Sequence, residues 1–236
     1  MKQFFIKEGY KINYVNMTND KVNDKRYWDK NRVLSSSVFQ FPVYKFLSNY
    51  IKKNKIKTLI DVGCGIGSKL THVNKHNPNL EIVGIDQADP IEYCEKAYAF
   101  GKWLVDDFEK PVLTKKLKAE LLVCCDVIEH MEDPDVLLGY IKLMLKKDGI
   151  ALISTPERDR LRGVDCNHSP NKFHIREWNY YEFETYLKSH GFEILDHFNQ
   201  FPTKIGMNRF FFIVLVKRLL KFKPLKYNQV VILKLK

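Results

Sequence analysis

DVGCGIG, residues 61–67, follows a short β-rich run and precedes a helical segment at residues 68–75. Glycines in such a turn let a ligand lie against the backbone and against the N-terminus of the helix. A dinucleotide fingerprint, G-x-G-x-x-G, would have its third glycine at position 68, but this chain has Ser68 there and Gly67 one residue earlier. Asp86 ends the next β run, where a carboxylate can accept hydrogen bonds from both hydroxyls of a ribose. The turn and the carboxylate together predict a ligand that contains a ribose.

Short β runs alternate with helical segments along most of the chain. Asn179, followed three residues later by Glu182, predicts the N-cap of the last helix, and Lys146 and Lys147 are predicted in the last turn of the helix before it. The predicted strands are residues 57–62, 80–85, 103–105, 121–125, 150–154, 192–198 and 230–235. The predicted helices are residues 38–51, 68–75, 91–100, 135–147 and 179–188. This alternation predicts an α/β fold whose mostly parallel sheet is covered by helices on both faces.

The charge of the chain is unevenly distributed. Its 236 residues include 39 Lys and Arg against 28 Asp and Glu, which gives a net charge of +11. Residues 1–57 carry 13 basic and 4 acidic side chains, residues 202–236 carry nine basic and no acidic ones, and residues 58–201 are net acidic. The hydrophobic content of 45% is enough for a sizeable core, which excludes a disordered tail protein and a minimal disulfide scaffold. The basic ends favour anionic ligands or surfaces.

The cysteine pattern and the apolar segments indicate the compartment. The five cysteines are odd in number and include no C-x-x-C spacing, so neither a disulfide framework nor a zinc knuckle is predicted. Cys64, Cys124 and Cys125 are interpreted as small packing residues rather than nucleophiles. The N-terminus lacks the features of a secretory signal, and no stretch approaches the roughly 18 apolar residues of a membrane span. We therefore expect a soluble, cytoplasmic protein.

Five segments, in order, resemble the motifs of the class I S-adenosylmethionine-dependent methyltransferases, over roughly residues 40–200. DVGCGIG resembles the first motif, which lines the methionine end of the cofactor, and Asp86 resembles the acidic residue that holds the ribose. DFEKP, residues 107–111, resembles the D-L-E-x-P segment, whose Asp meets the adenine amino group while the next residue borders the ring. LLVCCDVIEHMEDP, residues 121–134, and GIALISTP, residues 149–156, resemble the fourth-strand and fifth-strand segments.

The resemblance implies a fold, a cofactor and a set of binding residues. The fold is Rossmann-like, with a doubly wound, mostly parallel sheet of seven strands, helices on both faces and an N-terminal helical cap. A single domain would comprise the cap at residues 1–56, the cofactor-binding core at 57–201, and a basic crossover segment with the last strand at 202–236. The cofactor is S-adenosylmethionine, and no metal is expected. The residues implied to bind the cofactor are Asp61, Gly63, Cys64, Gly65, Gly67, Asp86, Gln87, Asp107, Phe108, Cys125 and Asp126.

Two histidines are the candidate catalytic residues. Methyl transfer from a sulfonium leaves the protein to align the acceptor, exclude water and remove the acceptor's proton, and histidine suits the last task near neutral pH. His130 follows the fourth strand, and His174 lies in the loop after the fifth. Each is predicted either to act as the base or to hold loops together. His168 lies in the same loop without a matching motif. The histidines predicted to be structural or solvent-facing are His72, His76, His190 and His197.

Arginines in the loop after the fifth strand are the candidate acceptor-binding residues. Arginine favours planar, bidentate contacts with phosphate or carboxylate, so this loop either recognises an anionic acceptor or is a solvated charged loop. NKFHIREWNYYEF, residues 171–183, resembles a stretch of methyltransferases found with glycan biosynthesis, which favours a sugar hydroxyl as acceptor. The candidates are Arg158, Arg160, Arg162, Arg176 and Trp178.

RFFFIVLVKRLLKFK, residues 209–223, is apolar through Val216 and then basic. As a helix it would be either a buried crossover or an interfacial helix that contacts anionic lipid at the membrane surface. Interfacial placement would favour a lipid-linked or quinone-type acceptor.

The leading hypothesis is a methyltransferase that acts on a hydroxyl of a small molecule, with a sugar or glycan precursor favoured. The basic ends leave a nucleic-acid methyltransferase as an alternative, against which the chain has no recognisable RNA-binding module and no N-P-P-Y-like motif. A non-catalytic Rossmann-like module or a nicotinamide oxidoreductase is the third hypothesis, opposed by Ser68 and the fourth-strand motif. The oligomeric state and the atom that is methylated remain open.

Overall fold

A computed structural model describes residues 4–13, 39–113, 117–200 and 228–236. Within these residues seven strands form one sheet in the order β3-β2-β1-β4-β5-β7-β6. The strands are β1 Thr58–Val62, β2 Glu81–Asp86, β3 Gly101–Val105, β4 Ala119–Cys125, β5 Leu145–Pro156, β6 Phe192–Gln200 and β7 Asn228–Leu235. Pairing is parallel from β3 to β5, whereas β7 is antiparallel to both of its neighbours. The predicted fold class, a Rossmann-like and mostly parallel seven-stranded sheet, is confirmed.

The helices of the described residues include the five predicted ones, in the predicted order, and a short helix at residues 158–162, which are predicted to be part of a loop. They are α1 Phe41–Asn54, α2 Ser68–His76, α3 Ala88–Ala97, α4 Pro134–Met144, α5 Arg158–Arg162 and α6 Tyr180–Ser189, with a short 3-10 helix at Ile128–His130. The predicted N-cap is confirmed, because the Asn179 side chain accepts from the N–H of Glu182 while the Glu182 carboxylate accepts from the N–H of Asn179. The α1 helix lies within the predicted N-terminal cap, and the described residues 4–13 of that cap contain turns and no helix.

The C-terminus of α4 differs from the prediction. The helix ends at Met144 instead of Lys147, because Leu145 takes an extended conformation, is buried and pairs with β4. Lys146 and Lys147 therefore belong to β5 and not to the last helical turn. The Nζ of Lys146 lies 3.3 Å from a carboxylate oxygen of Glu120 on the neighbouring strand. Lys146 thus pairs with a carboxylate of β4 instead of lying in the last turn of the helix.

The hydrophobic core has two parts, one on each face of the sheet. Alternate residues of β4 belong to different clusters, as expected when successive side chains of a strand point to opposite faces. Residues of α1, α2 and α3 contribute to one cluster, and residues of α4 and α6 to the other. Helices thus cover both faces of the sheet, and the carboxyl ends of its parallel strands meet at one edge.

No helix of residues 4–13, 39–113, 117–200 and 228–236 combines the length and apolar character needed to cross a bilayer. The predicted crossover or interfacial helix at residues 209–223 lies outside these ranges, as do seven of the nine basic side chains of residues 202–236 and six of the 13 of residues 1–57. The division into a cap, a core and a basic crossover segment stays a prediction.

Candidate active site

The glycine turn between β1 and α2 allows neighbouring groups to pack closely against its backbone. Gly63 and Gly67 have φ values of +82° and +67°, which L side chains rarely adopt. A Cβ on Gly63 would lie 2.2 Å from Cγ2 of Val127, so the loop after β4 packs directly against the turn. The N–H of Gly65 donates to Oδ2 of Asp86 at 2.7 Å, which ties the turn to the end of β2.

Asp86 is oriented by backbone groups on both of its oxygens. Its Oδ1 accepts from the N–H of Gln87 at 2.8 Å, while its Oδ2 accepts from Gly65. The carboxylate is part-buried at the carboxyl end of β2, next to the glycine turn. A carboxylate at this position is oriented toward the site where the hydroxyls of a ligand on the turn would lie, and each of its oxygens can accept more than one hydrogen bond.

The two adjacent carboxylates after β3 have different surroundings. Asp106 is buried and accepts from the N–H groups of residues 107, 112 and 113 and from the hydroxyl of Tyr140 at 2.7 Å, so it stabilises the loop. Asp107 is exposed, and its Oδ1 accepts only a local bond from the N–H of Glu109 among the described residues. The ring of Phe108 is half-buried and packs 5.8 Å from that of Tyr140, centroid to centroid. The adenine contact of Asp107 and Phe108 stays a prediction.

Asp61 is a buried carboxylate directly before the turn. Its Oδ2 accepts from the hydroxyl of Tyr44 at 2.8 Å, and its Oδ1 has no hydrogen-bond partner in the part of the chain that the structure describes. Burial raises the pKa of Asp61 to about 7, against the lowering effect of the Tyr44 bond and of Lys69. A cationic ligand group next to Oδ1 would favour the ionised form.

Asp126, at the end of β4, is held by the strands beyond it. Its carboxylate accepts from the hydroxyl of Ser154 at 2.9 Å and from Nδ2 of Asn228 at 2.9 and 3.0 Å, and its φ is +55°. Cys64, Cys124 and Cys125 are buried, and burial raises the pKa of each thiol well above its usual value. They are not activated nucleophiles, in agreement with the packing role predicted for them.

The two candidate bases lie side by side. The ring centroids of His130 and His174 are 4.9 Å apart in an edge-to-face arrangement. Nδ1 of His130 bonds the carbonyl oxygen of Phe173, and Nδ1 of His174 bonds Oε1 of Glu177 at 2.6 Å. A carbonyl or carboxylate oxygen accepts, so Nδ1 carries the proton in each ring and Nε2 of the neutral imidazole carries the lone pair.

Two buried glutamates that the sequence reasoning missed complete this region. Glu129 is fully buried, and burial together with the charge of Asp126 raises its pKa well above the usual value. Burial would also raise the pKa of Glu177, but the hydrogen bonds from His174 and Arg162 lower it to about 2. Both glutamates stand beside a predicted histidine in sequence, which is the signal that could have found them.

Three of the predicted acceptor-binding arginines are engaged inside the protein. Arg158 is buried and forms a bidentate pair with Glu182 at 2.6 and 2.9 Å. Arg162 forms a bidentate pair with Glu177 at 3.0 and 3.1 Å. Arg176 is also buried, and its guanidinium donates to the carbonyl oxygens of residues 131 and 132. This packing does not support acceptor binding by these three side chains.

Trp178 is likewise part of the core and not of a surface for the acceptor. It is fully buried, its ring stacks on that of Tyr186, and its Nε1 donates to the carbonyl of Phe4 at 2.8 Å. Arg160 is exposed, so its contact with an acceptor stays a prediction.

The remaining histidines have the surroundings expected of structural or surface residues. The side chain of His197 is buried and stacks on Tyr180, with ring centroids 3.5 Å apart. His190 ends α6, with its Nε2 3.0 Å from a carboxylate oxygen of Asp135. His72 and His76 lie one turn apart on α2, with ring centroids 4.2 Å apart.

The sheet order, the glycine turn and the carboxylate that ends β2 define the Rossmann-like class of S-adenosylmethionine-dependent methyltransferases. A family model described as a methyltransferase domain matches residues 38–197, and the chain belongs to this family. This match spans the turn, Asp86 and both candidate histidines.

Curated relatives match about half of the chain or less. The chain is 29% identical over 111 residues to the ubiquinone biosynthesis O-methyltransferase of Glaesserella parasuis, covering 43% of this chain and 46% of that protein. It is 25% identical over 121 residues to the tRNA U34 carboxymethyltransferase of Campylobacter lari, covering 49% and 40%. The chain thus spans less than half the length of these two relatives.

Solved structures share the fold at low sequence identity. The plantazolicin methyltransferase BamL, in complex with a triazolic desmethylPZN analog and SAH, matches with a TM-score of 0.61 and 18% identity over 87% of this chain and 88% of that one. An S-adenosylmethionine-dependent methyltransferase from Clostridium acetobutylicum matches with a TM-score of 0.59 and 16% identity over 86% and 94%.

Proposed function

We propose that this protein transfers a methyl group from S-adenosylmethionine to a hydroxyl group of a small molecule. The observation that carries the proposal is the joining of the glycine turn to Asp86 at the carboxyl edge of the sheet, where the N–H of Gly65 donates to the carboxylate. The methionine end of the cofactor would lie on the turn, near Asp61, and the ribose hydroxyls would donate to Asp86. Asp107 and Phe108 would contact the adenine.

Further cofactor-binding roles follow from position. Residues 63–67 would contact the cofactor through their backbone, and Gln87 follows the ribose-binding carboxylate directly. Cys125 and Asp126 would border the cofactor from the end of β4, although the Asp126 carboxylate already accepts from Ser154 and Asn228.

A hydroxyl acceptor is supported by the histidine pair and by the names of the relatives. The Nε2 lone pairs of His130 and His174 make either ring able to take a hydroxyl proton, and Glu177 would stabilise the charged form of His174. Several curated relatives are named as O-methyltransferases of ubiquinone biosynthesis, which favours a phenolic hydroxyl. The stretch at residues 171–183 favours a sugar hydroxyl. Both kinds of acceptor carry a hydroxyl group, and we propose that this group is methylated.

An anionic acceptor has less support than the arginine pattern predicts. Arg158, Arg162 and Arg176 are engaged with partners inside the protein, which leaves Arg160 as the exposed member of the predicted set. Recognition of the acceptor would therefore depend mainly on shape and hydroxyl contacts, with Arg160 as the candidate contact for an anionic group.

The test is transfer of radiolabelled methyl from S-adenosylmethionine to three kinds of acceptor: a dihydric phenol with a polyprenyl tail, a sugar nucleotide, and bulk tRNA. We expect a labelled methyl ether on one of the two small molecules, identified by mass spectrometry. Label in tRNA alone, or no transfer from a protein that binds the cofactor, would contradict the proposed acceptor class. Measuring cofactor binding in parallel separates failure of the acceptor assignment from failure of the cofactor assignment.

A further inference from the structure

Three side chains near the end of β4 converge on a small volume. Glu129, His130 and His174 each offer a nitrogen or oxygen atom that can bind a metal ion, and these atoms all lie within 4.8 Å of one another. Glu129 is fully buried and His174 is 9% exposed. A solvated charged surface would not hold the three groups in this way.

Each histidine is anchored through Nδ1. Phe173 accepts from His130 through its carbonyl oxygen, and Glu177 accepts from His174 through its carboxylate. These bonds place the lone pair on Nε2 and fix the orientation of each ring. Histidines that bind metals have such a partner on their other nitrogen, because it sets the tautomer and makes the ring a better ligand.

Glu129 has one oxygen that is engaged and one that is not. Its Oε2 accepts from the hydroxyl of Thr155 at 3.0 Å, whereas its buried Oε1 has no hydrogen-bond partner among the described residues. Buried polar atoms in proteins are nearly always hydrogen-bonded, so an orphaned carboxylate oxygen beside two imidazoles points to a missing partner. The nearby carboxylates of Asp126 and Glu177 repel the charge on Glu129, and a cation would be stabilised by the same charges.

The backbone keeps the three groups together across a large sequence separation. The carbonyl oxygen of Glu129 accepts from the N–H of Ile175 at 2.8 Å and from that of Arg176 at 3.3 Å. The loop that carries His174 is therefore tied to the 3-10 helix that carries Glu129 and His130. A site of this kind is preorganised, since its ligands are held by their own hydrogen bonds.

We propose that Glu129, His130 and His174 bind one divalent transition-metal ion. Two imidazoles and one carboxylate are a ligand set typical of zinc, manganese and iron sites, and three protein ligands leave coordination positions for a substrate oxygen. Asp126 is not a ligand in this arrangement, because its carboxylate is engaged by Ser154 and Asn228. This site corrects the sequence expectation of no metal, because His174 lies more than 40 positions from Glu129 and His130 and the motifs that contain these residues do not show that they meet.

The role of the ion rests on the proposed function. A hydroxyl of the acceptor that coordinates the ion would have a lower pKa and would lose its proton to solvent water, which leaves the attacking oxygen bound to the ion. The two histidines would then be ligands and not general bases.

The test is binding of Zn²⁺ and Co²⁺ to protein dialysed against a chelator. We expect one ion per chain by calorimetry, and visible d–d absorption of Co²⁺ with nitrogen and oxygen ligands. Glu129→Gln and His174→Ala should each weaken binding by about 100-fold or more. The control is His168→Ala, which removes an exposed histidine of the same loop and should leave binding unchanged.

Three results would overturn the metal site. The first is the absence of stoichiometric binding in the unaltered protein. The second is equal binding by the unaltered protein and by Glu129→Gln and His174→Ala variants whose circular dichroism shows a retained fold. The third is loss of binding in Cys166→Ser, since that would assign the ion to a free thiol. Titration with S-adenosylhomocysteine in the same variants separates this outcome from failure of the cofactor site, which these substitutions should not affect.

Discussion

The cofactor side and the acceptor side of the sheet edge are built from different kinds of contact. On the cofactor side, backbone N–H groups orient Asp86, and its partner Gly65 is 21 residues away. On the acceptor side, side chains bond partners that are distant in sequence: Arg158 pairs with Glu182, 24 residues away, and His130 bonds a carbonyl 43 residues away. The cofactor side can present the Asp86 carboxylate to a ligand, whereas most charged side chains on the acceptor side are paired with groups inside the protein. Conspicuous arginines in a loop are therefore weaker evidence of a binding site than a glycine turn with one oriented carboxylate.

Arg158→Met tests the structural side of this comparison and has the largest expected effect. The substitution leaves the Glu182 and Asp159 carboxylates without the guanidinium that pairs with them, so the free energy of unfolding should fall by about 3 kcal/mol. Chemical denaturation measures the change. Arg160→Met, on the exposed neighbour, is the matched control and should leave stability within about 0.5 kcal/mol. Equal stability of the two variants would mean that Arg158 is available to a ligand after all.

Gly63→Ala tests how tightly the cofactor turn is packed. The new Cβ would lie 2.2 Å from Val127, at a φ of +82°, so we expect a loss of about 2 kcal/mol in stability together with loss of cofactor binding. Gly139→Ala is the matched control, because nothing lies within 4 Å of its Cβ position inside α4. That control should be neutral or more stable by about 0.5–1 kcal/mol. A tolerated Gly63→Ala would show that the turn and the loop after β4 are not in contact.

Cofactor affinity should depend on pH through Asp61. Its pKa is raised from 3.8 to about 7 by burial, so the free protein binds a proton there below neutral pH. Positive charge on the cofactor favours the ionised carboxylate, and protons therefore compete with binding. Affinity should rise by about tenfold between pH 6 and pH 8, and Asp61→Asn should flatten the profile. A flat profile in the unaltered protein would place the cofactor's cationic groups away from Asp61.

The sequence was informative wherever a few neighbouring residues decide the outcome. The glycine turn, the end of β2 at Asp86 and the Asn179 cap are local patterns, and the structure has each of them where the sequence predicts it. Sequence patterns led to wrong predictions where a contact distant in sequence determines the structure. Arg158 and Arg162 contact Glu182 and Glu177 only in the folded chain. Lys146 lies outside its predicted helix because Leu145 pairs with β4.

The same reason explains why the sequence did not predict that Glu129, His130 and His174 form one metal-ligand cluster. Glu129 and His130 are adjacent in sequence, but His174 joins them only because the backbone of the later loop bonds the carbonyl of Glu129. Neither the spacing nor the composition of the chain carries that information.

The central claim is that S-adenosylmethionine binds at the glycine turn with Asp86 on its ribose, and calorimetric titration with S-adenosylhomocysteine tests it most directly. The unaltered protein and Asp89→Asn, which changes an exposed carboxylate in the first turn of α3, should bind one molecule per chain with equal affinity. Asp86→Asn should weaken binding by at least about tenfold, because charge-assisted hydrogen bonds contribute about 1.5–3 kcal/mol each. No binding by the unaltered protein, or equal affinity of Asp86→Asn and Asp89→Asn, would contradict the account.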